Sequence, residues 1–186
     1  MPRGVAIDGA RQRLFEAAEA VILRAGVDGL TGRAVTAQAG VATGLLHAHF
    51  GDFEGFLAAY VVDRSFLLTT ESGNAAGRKG DVAEEVCSVL AGLSQPASTA
   101  LARLLAARPG LRGAAAEVLG DGAAGFEGVI AVVADRLASG AIRPGVDAGA
   151  MAYGIVGAAL WAWCAGDSET RWRSAVAALL APALPR

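Results

Sequence analysis

Four side chains that can donate hydrogen bonds lie close together near the amino terminus. They are Arg33, Thr43, His47 and His49. Arginine presents a planar fork of N–H donors, a hydroxyl donates and accepts, and histidine can carry a positive charge between about pH 5 and 8. Groups of these types bind phosphate oxygens and the edges of nucleic-acid bases. The pattern therefore favours recognition by hydrogen bonding.

The segment that must position these side chains is residues 31–50, TGRAVTAQAGVATGLLHAHF. Its spacing predicts two short helices joined by a tight turn, with Gly40 in the left-handed conformation that a turn needs. Val35, Ala39 and Val41 provide the apolar side of the first helix and the turn, and Leu46 and Phe50 anchor the second helix. The second helix is left with an exposed face that fits the major groove of DNA, about 12 Å wide. That face contains Thr43, Gly44, Leu45, His47, Ala48 and His49.

This segment resembles the DNA-binding domain of the tetracycline-repressor (TetR) family. The family pattern is I-A-x-x-A-G-V-S-x-G-x-L-Y-x-x-F, followed by a Lys. The resemblance covers about residues 11–57. This range includes a preceding helix that ends at Gly26 and has Leu14, Ala18, Val21 and Ile22 on its apolar stripe. Beyond residue 57 only the pattern of helices is shared. The matching residues are Val35, Thr36, Ala39, Gly40, Val41, Ala42, Gly44, Leu46, His47 and Phe50.

Three positions depart from the family pattern. Ala42 stands where a Ser usually caps the recognition helix, His47 stands where a Tyr is usual, and Phe53 replaces a Lys that contacts phosphate. The resemblance implies that Arg33 can reach a guanine, although Arg33 could equally lie on a solvated face. Residues 1–53 contain five Arg and five acidic residues, so we expect weak non-specific DNA affinity.

The rest of the chain predicts helices only, without the alternation of a strand. We expect helices over residues 54–70, 81–93, 96–108, 111–119, 123–138, 147–165 and 168–180, and a flexible loop over residues 72–80. Asp81 is expected to cap a helix, and Pro96 to begin one. The resemblance implies an all-α fold of about nine helices. Residues 1–53 would form a three-helix DNA-binding domain, and residues 54–186 a helical bundle for ligand binding and dimerisation.

Residues 148–166 form an apolar run without a charge. A membrane span is one interpretation. The other is a helix buried on one side by its own domain and on the other by a partner, and the balanced charges at its two ends favour this one. The resemblance implies a homodimer through the last two helices, without a membrane. The candidate interface residues are Met151, Ile155, Ala158, Trp172, Val176 and Leu179.

An effector pocket is expected between the DNA-binding domain and the interface. The apolar candidates favour an uncharged or weakly polar ligand that is hydrophobic or aromatic. The alternative is that most of them are ordinary core. They are Tyr60, Phe66, Leu67, Cys87, Leu90, Leu104, Leu105, Phe126, Ile130, Tyr153, Trp161 and Trp163.

Enzyme chemistry finds little support. Gly120, Gly122 and Gly125 match G-x-G-x-x-G, but an alanine-rich helix precedes them where a dinucleotide site needs a strand. His47 and His49 diverge by about 200° on a helix, so they cannot share a metal. We therefore expect no cofactor and no catalytic group. Two separate cysteines and no secretory signal indicate a cytoplasmic setting.

The sequence as a whole predicts a homodimeric transcriptional regulator that binds a double-stranded DNA operator and a small-molecule effector. A repressor is the commoner form, with the effector favouring a state that cannot bind DNA. The alternative is a dimeric small-molecule-binding or interaction protein of the same fold that has lost operator binding.

Overall fold

The computed structural model describes residues 3–75, 81–93, 95–139 and 142–184, with side chains from Gly9 onwards. Within these residues it is all-helical, with ten α-helices and two short 3-10 turns, against the nine helices predicted. The helices are α1 Arg3–Ala25, α2 Gly32–Ala39, α3 Gly44–Phe50, α4 Phe53–Ala75, α5 Val82–Ala91, α6 Gln95–Ala107, α7 Gly110–Leu119, α8 Glu127–Ala138, α9 Ala148–Ala165 and α10 Glu169–Leu180.

The first three helices pack around the apolar stripe of α1. Leu14, Ala18, Val21 and Ile22 are all buried, as their helical spacing predicts. Gly26 has a φ of +72°, and its N–H donates to the carbonyl of Ile22, which ends α1. α4 begins at Phe53, at the predicted domain boundary, and runs without a break into the bundle. The amino-terminal helices and the bundle therefore share one long helix.

Side-chain caps begin the last two helices, and the starts of α5 and α6 differ from them. Asp147 accepts a hydrogen bond from the N–H of Ala150 at 3.0 Å, and Ser168 accepts one from the N–H of Arg171 at 3.4 Å. Asp81 occupies the cap position of α5, as predicted, although its side chain makes no cap hydrogen bond. α6 begins at Gln95, one residue before Pro96.

The carboxyl end of α4 corrects the predicted loop over residues 72–80. α4 continues to Ala75, so residues 72–75 are helical and not part of a loop. Ser72 is buried, and its hydroxyl donates to the carbonyl of Thr69 at 2.7 Å. Residues 76–80 of the predicted loop lie outside the described residues.

The glycine-rich break between α7 and α8 positions α8 on α4. Gly125 has a φ of +69°, and its N–H donates to the buried hydroxyl of Ser65 at 2.8 Å. A Cβ atom on Gly128 would lie only 2.1 Å from the hydroxyl oxygen of Thr69, so the two helices approach as closely as a glycine allows. No strand occurs among the described residues, so these glycines serve a helix break and close packing.

Candidate nucleic-acid interface

Local hydrogen bonds fix both ends of α2. The hydroxyl of Thr31 accepts a hydrogen bond from the N–H of Ala34 at 3.1 Å. Gly40 ends the helix with φ +66° and ψ +35°, the left-handed conformation that the sequence predicts. The N–H of Val41 then donates to the carbonyl of Thr36 at 3.0 Å. The chain is thereby turned sharply into α3.

Aromatic packing holds α3 against α1 and α4. Leu46 is buried, and the ring of Phe50 lies 5.7 Å from Phe15 and 5.1 Å from Phe56, measured between centroids. Phe53 stacks on Phe56 at 5.9 Å, with 19° between the ring planes. α2, α3 and the start of α4 thus form one packed unit, which is the arrangement of a helix-turn-helix.

The exposed side of this unit gathers most of the predicted contact residues. Arg33, Thr43, Gly44 and His47 are exposed, whereas Leu45 and His49 are half-buried. A shallow groove of about 280 Å³ has Arg33, Thr43 and His47 on its walls, with Phe53 beside them. The sequence did not identify Thr31, which also lines this groove and whose place before α2 is typical of a helix cap.

His47 makes a hydrogen bond that defines its tautomer. Its Nδ1 lies 3.1 Å from the carbonyl oxygen of Gly51. Because a carbonyl only accepts, Nδ1 must carry a proton. In the neutral ring Nε2 is therefore the acceptor. The ring of His49 lies 6.1 Å from the ring of Phe50, which agrees with its partial burial.

Two further arginines lie on this domain. The guanidinium of Arg11 sits over the ring of Phe50, 5.2 Å from its centroid. Arg24 donates to the side-chain oxygen of Gln38 at 2.7 Å, which ties α1 to α2. Arg33 makes no ion pair with any described residue and is free to bind an external anion or a base. The described side chains of this domain therefore present separate arginines and no dense basic patch.

Residues 14–60 match the sequence model of the family described as bacterial regulatory proteins, tetR family. The match runs from the middle of α1 to the first turns of α4 and includes the helix-turn-helix. The N-terminal domain therefore carries the sequence signature of the TetR-family DNA-binding domain. No curated protein matches the chain.

Solved structures extend the likeness to the whole fold. A Rhodococcus sp. protein described as a TetR-family transcriptional regulator is 21% identical, with a TM-score of 0.68, covering 96% of this chain and all (100%) of that one. A Saccharomonospora viridis regulator in complex with choline is 14% identical, with a TM-score of 0.71 and coverage of 96% and 100%. FadR from Bacillus subtilis, in complex with stearoyl-CoA, is 19% identical, with a TM-score of 0.65 and coverage of 91% and 95%. At these identities the likeness establishes the TetR fold.

In this TetR fold, α9 has one buried and one exposed face. By length and composition α9 could cross a membrane, a test that core helices of soluble proteins also pass, and 33% of it is buried in the structure. Tyr153 and Trp161 are 68% and 77% exposed, and Gly154 and Gly157 lie on the same exposed side. Ala175, Ala178 and Leu179 are exposed on the neighbouring α10. Small residues alternate with large apolar ones across both helices.

The candidate interface residues divide between this exposed face and the core. Leu179 is exposed, and Met151 and Ala158 are half-buried. Ile155, Trp172 and Val176 are instead buried inside the protomer, so their predicted place on an outer surface is wrong. The physical reason is that α9 and α10 turn these side chains toward each other and the bundle. Trp172 packs edge-on against Trp163 at 5.9 Å and 81°.

The candidate effector-pocket residues also divide. Tyr60, Cys87, Leu90, Leu104 and Trp163 are buried in the core, and Leu67, Leu105, Phe126 and Ile130 are half-buried. Tyr153 and Trp161 point outward from α9, so they do not line the interior of the protomer. Phe66 is 66% exposed and lines an apolar groove between α4 and α7. A ligand-lining role for the buried and half-buried residues stays a prediction.

An ionic network around the buried Arg64 joins α1 to α4. The Nε of Arg64 lies 2.5 Å from Glu19, and its Nη1 lies 2.8 Å from Asp63. Gln12 completes the network by donating to Asp63 at 3.1 Å. Burial raises the pKa of Glu19, although the charge of Arg64 opposes this. Burial also raises the pKa of the Tyr60 phenol far above its usual range, so this ring stays neutral beside Arg64.

Metal chemistry has no visible basis in the described part of the chain. Within it, no three His, Cys, Asp or Glu side chains are placed to hold a metal ion. Cys87 is buried and Cys164 is half-buried, and both are free thiols. Burial raises the pKa of the Cys87 thiol, which disfavours the reactive thiolate.

Proposed function

We propose that the protein is a homodimeric, ligand-responsive transcription regulator that binds a DNA operator through α2 and α3. The observation that carries the proposal is the groove that brings Arg33, Thr43 and His47 together on a TetR-family helix-turn-helix. Arg33 would meet a base edge, and Thr43 and His47 would meet base edges or nearby phosphates. Gly44 allows the backbone of α3 to come close to DNA. Leu45 and His49 contribute only their exposed edges.

The first experiment is the selection of bound fragments from genomic DNA, followed by affinity measurements on the selected operator. A bidentate arginine contact to guanine is worth about 1–3 kcal/mol of discrimination, so Arg33→Ala should weaken specific binding about tenfold or more. Arg112→Ala is the matched control, because Arg112 lies on α7 and pairs with Glu127. Equal affinities of Arg33→Ala and wild type for the operator would contradict the role of Arg33.

We infer that the dimer forms through the exposed face of α9 and α10. A large apolar surface of this kind marks a site of association in a soluble protein. Small residues on both helices let a second pair of helices approach closely, as in a four-helix interface. In this arrangement Tyr153 and Trp161 become interface residues, together with Leu179 and the flanks at Met151 and Ala158.

Sedimentation equilibrium tests this interface. Trp161→Glu places a charge on an exposed position and should give a folded monomer. Leu23→Glu is the control, because Leu23 is exposed on α1 and its replacement should leave the dimer intact. Ile155→Glu should instead unfold the protein, since Ile155 is in the core. A folded dimer with Trp161→Glu would place the interface elsewhere.

The effector role is supported by fold and by surface chemistry. Two proteins of similar fold were solved with choline and with stearoyl-CoA, so this architecture accommodates small molecules. A ligand that binds one dimer conformation better shifts the population toward it, and a repressor would thereby leave its operator. We infer a cytoplasmic, non-enzymatic regulator that acts without a cofactor.

A protein of this fold that binds ligand but no operator is the second candidate. Two observations favour it. α3 has no side-chain cap hydrogen bond at its start, and Phe53 is packed on Phe56 where a Lys would contact phosphate. Selection of bound DNA fragments separates the two functions. If no fragment is enriched, ligand binding is the function that remains.

A further inference from the structure

A groove of about 500 Å³ lies between α4 and α7, with Arg11 of α1 on its wall. This volume is within the range of about 300–1,000 Å³ found for small-molecule sites. Phe66 and Val118 are the two largest apolar exposures along it, at 66% and 68%. Ala114 and Val62 contribute to its apolar wall. The groove thus joins the DNA-binding domain to the bundle and offers a ligand apolar contact area.

Only two charged side chains line the groove, Arg11 and Asp63. Both oxygens of Asp63 already accept hydrogen bonds, one from Gln12 at 3.1 Å and one from Arg64 at 2.8 Å. Arg11 makes no ion pair with a described residue, and its guanidinium rests on the ring of Phe50 at 5.2 Å. An arginine fork binds a carboxylate through two parallel hydrogen bonds. The available charge in the groove is therefore positive, at its α1 side.

We propose that this groove is the effector site and that it binds an amphipathic carboxylic acid. The carboxylate pairs with Arg11, and the hydrocarbon part lies on Val62, Phe66, Ala114 and Val118. The effector role in this assignment rests on the proposed regulatory function. The binding of the carboxylic acid does not. It also changes the expected ligand class, because the expectation of an uncharged effector was based on apolar candidates and did not include Arg11.

The position of Arg11 gives the ligand a path to the DNA-binding face. Phe50 is the last residue of α3, so the stack of Arg11 on Phe50 connects the groove to the recognition helix. A carboxylate in the groove competes with the Phe50 ring for the guanidinium. Ligand binding therefore loosens one of the contacts that hold the carboxyl end of α3, and operator affinity falls.

Isothermal titration with decanoate, below its micelle concentration, tests the binding step on the full chain. We expect one decanoate per protomer, at least tenfold weaker binding to Arg11→Gln, and unchanged binding to Arg13→Gln, whose side chain is exposed on the same helix outside the groove. Decyltrimethylammonium has the same chain with a cationic head and should bind much more weakly. Equal binding of decanoate to Arg11→Gln and wild type, or of the two amphiphiles to wild type, would overturn the assignment.

Two further variants keep the test decisive if Arg11→Gln folds poorly. Val118→Asp changes an exposed position and places a like charge beside the ligand, and Ala114→Phe fills the groove. Both should lower decanoate affinity at least tenfold, and full affinity in either variant would contradict the proposal.

The effector role is measured separately, on the selected operator. Decanoate should weaken operator binding of wild type and have little effect on Arg11→Gln. Decanoate binding without any change in operator affinity would overturn the effector assignment. If no DNA fragment is selected at all, the proposed regulatory function is wrong. Calorimetry still tests whether decanoate binding depends on Arg11.

Discussion

Arg64 of α4 and Glu19 of α1 form an ion pair of 2.5 Å in which the arginine side chain is only 5% exposed. The same guanidinium lies 5.6 Å from the ring centroids of both Phe15 and Tyr60. One side chain thus combines the charge and the aromatic contacts that join α1 to the helix continuing into the bundle. The orientation of the helix-turn-helix relative to the bundle depends on it.

Removing Arg64 should therefore destabilise the protein strongly. Arg64→Ala leaves Glu19 largely buried without its partner, and such a loss costs about 3 kcal/mol or more of the free energy of unfolding. Urea denaturation followed by circular dichroism measures the change. Arg171→Ala is the control, since Arg171 is 75% exposed in its pair with Asp167 and should cost less than about 1 kcal/mol. Similar losses in the two variants would contradict the structural role of Arg64.

Gly128 and Gly113 should respond to alanine in opposite directions. A Cβ at Gly128 would clash with Thr69 at 2.1 Å, so Gly128→Ala should lower the free energy of unfolding by about 1–3 kcal/mol. Gly113 lies within α7 with open space around it, and Gly113→Ala should raise that free energy by about 0.5–1 kcal/mol. Thr69→Ala removes the two nearest atoms and should rescue part of the loss at Gly128. A neutral Gly128→Ala would mean that α8 does not pack this closely on α4.

The two cysteines should differ in their rates of alkylation. Burial raises the pKa of the Cys87 thiol, so at pH 8 less of it is thiolate than at an ordinary cysteine, and its sulfur is also shielded. Cys164 is half-buried near the exposed side of α9. Iodoacetamide labelling followed by mass spectrometry should modify Cys164 first, and faster in monomeric Trp161→Glu than in wild type. Labelling of Cys87 at the rate of Cys164 in the folded protein would refute this prediction.

The sequence predicts features that depend on neighbouring residues better than features that depend on contacts between distant helices. The turn at Gly40 and the start of the helix at Asp147 depend on residues a few positions away, and both were predicted correctly. The buried face of α9 was not predicted correctly. This helix is apolar all round, so only its contacts with other helices decide whether Ile155 or Tyr153 is buried. The groove with Arg11 and Val118 combines helices distant in sequence, so no local pattern indicates it.

Replacing His47 should weaken operator binding. Its Nδ1 donates to the carbonyl of Gly51, so Nε2 is the ring nitrogen available for a hydrogen bond to DNA on the exposed side of α3. His47→Ala removes this group and should lower operator affinity about twofold to tenfold, because a hydrogen bond is worth about 0.5–1.5 kcal/mol. Fluorescence anisotropy on the selected operator measures the change. His49→Gln is the control, because His49 is half-buried beside Phe50 and should contribute less. A larger loss in His49→Gln than in His47→Ala would transfer the role to His49, and unchanged affinity in both variants would show that neither histidine contacts the DNA.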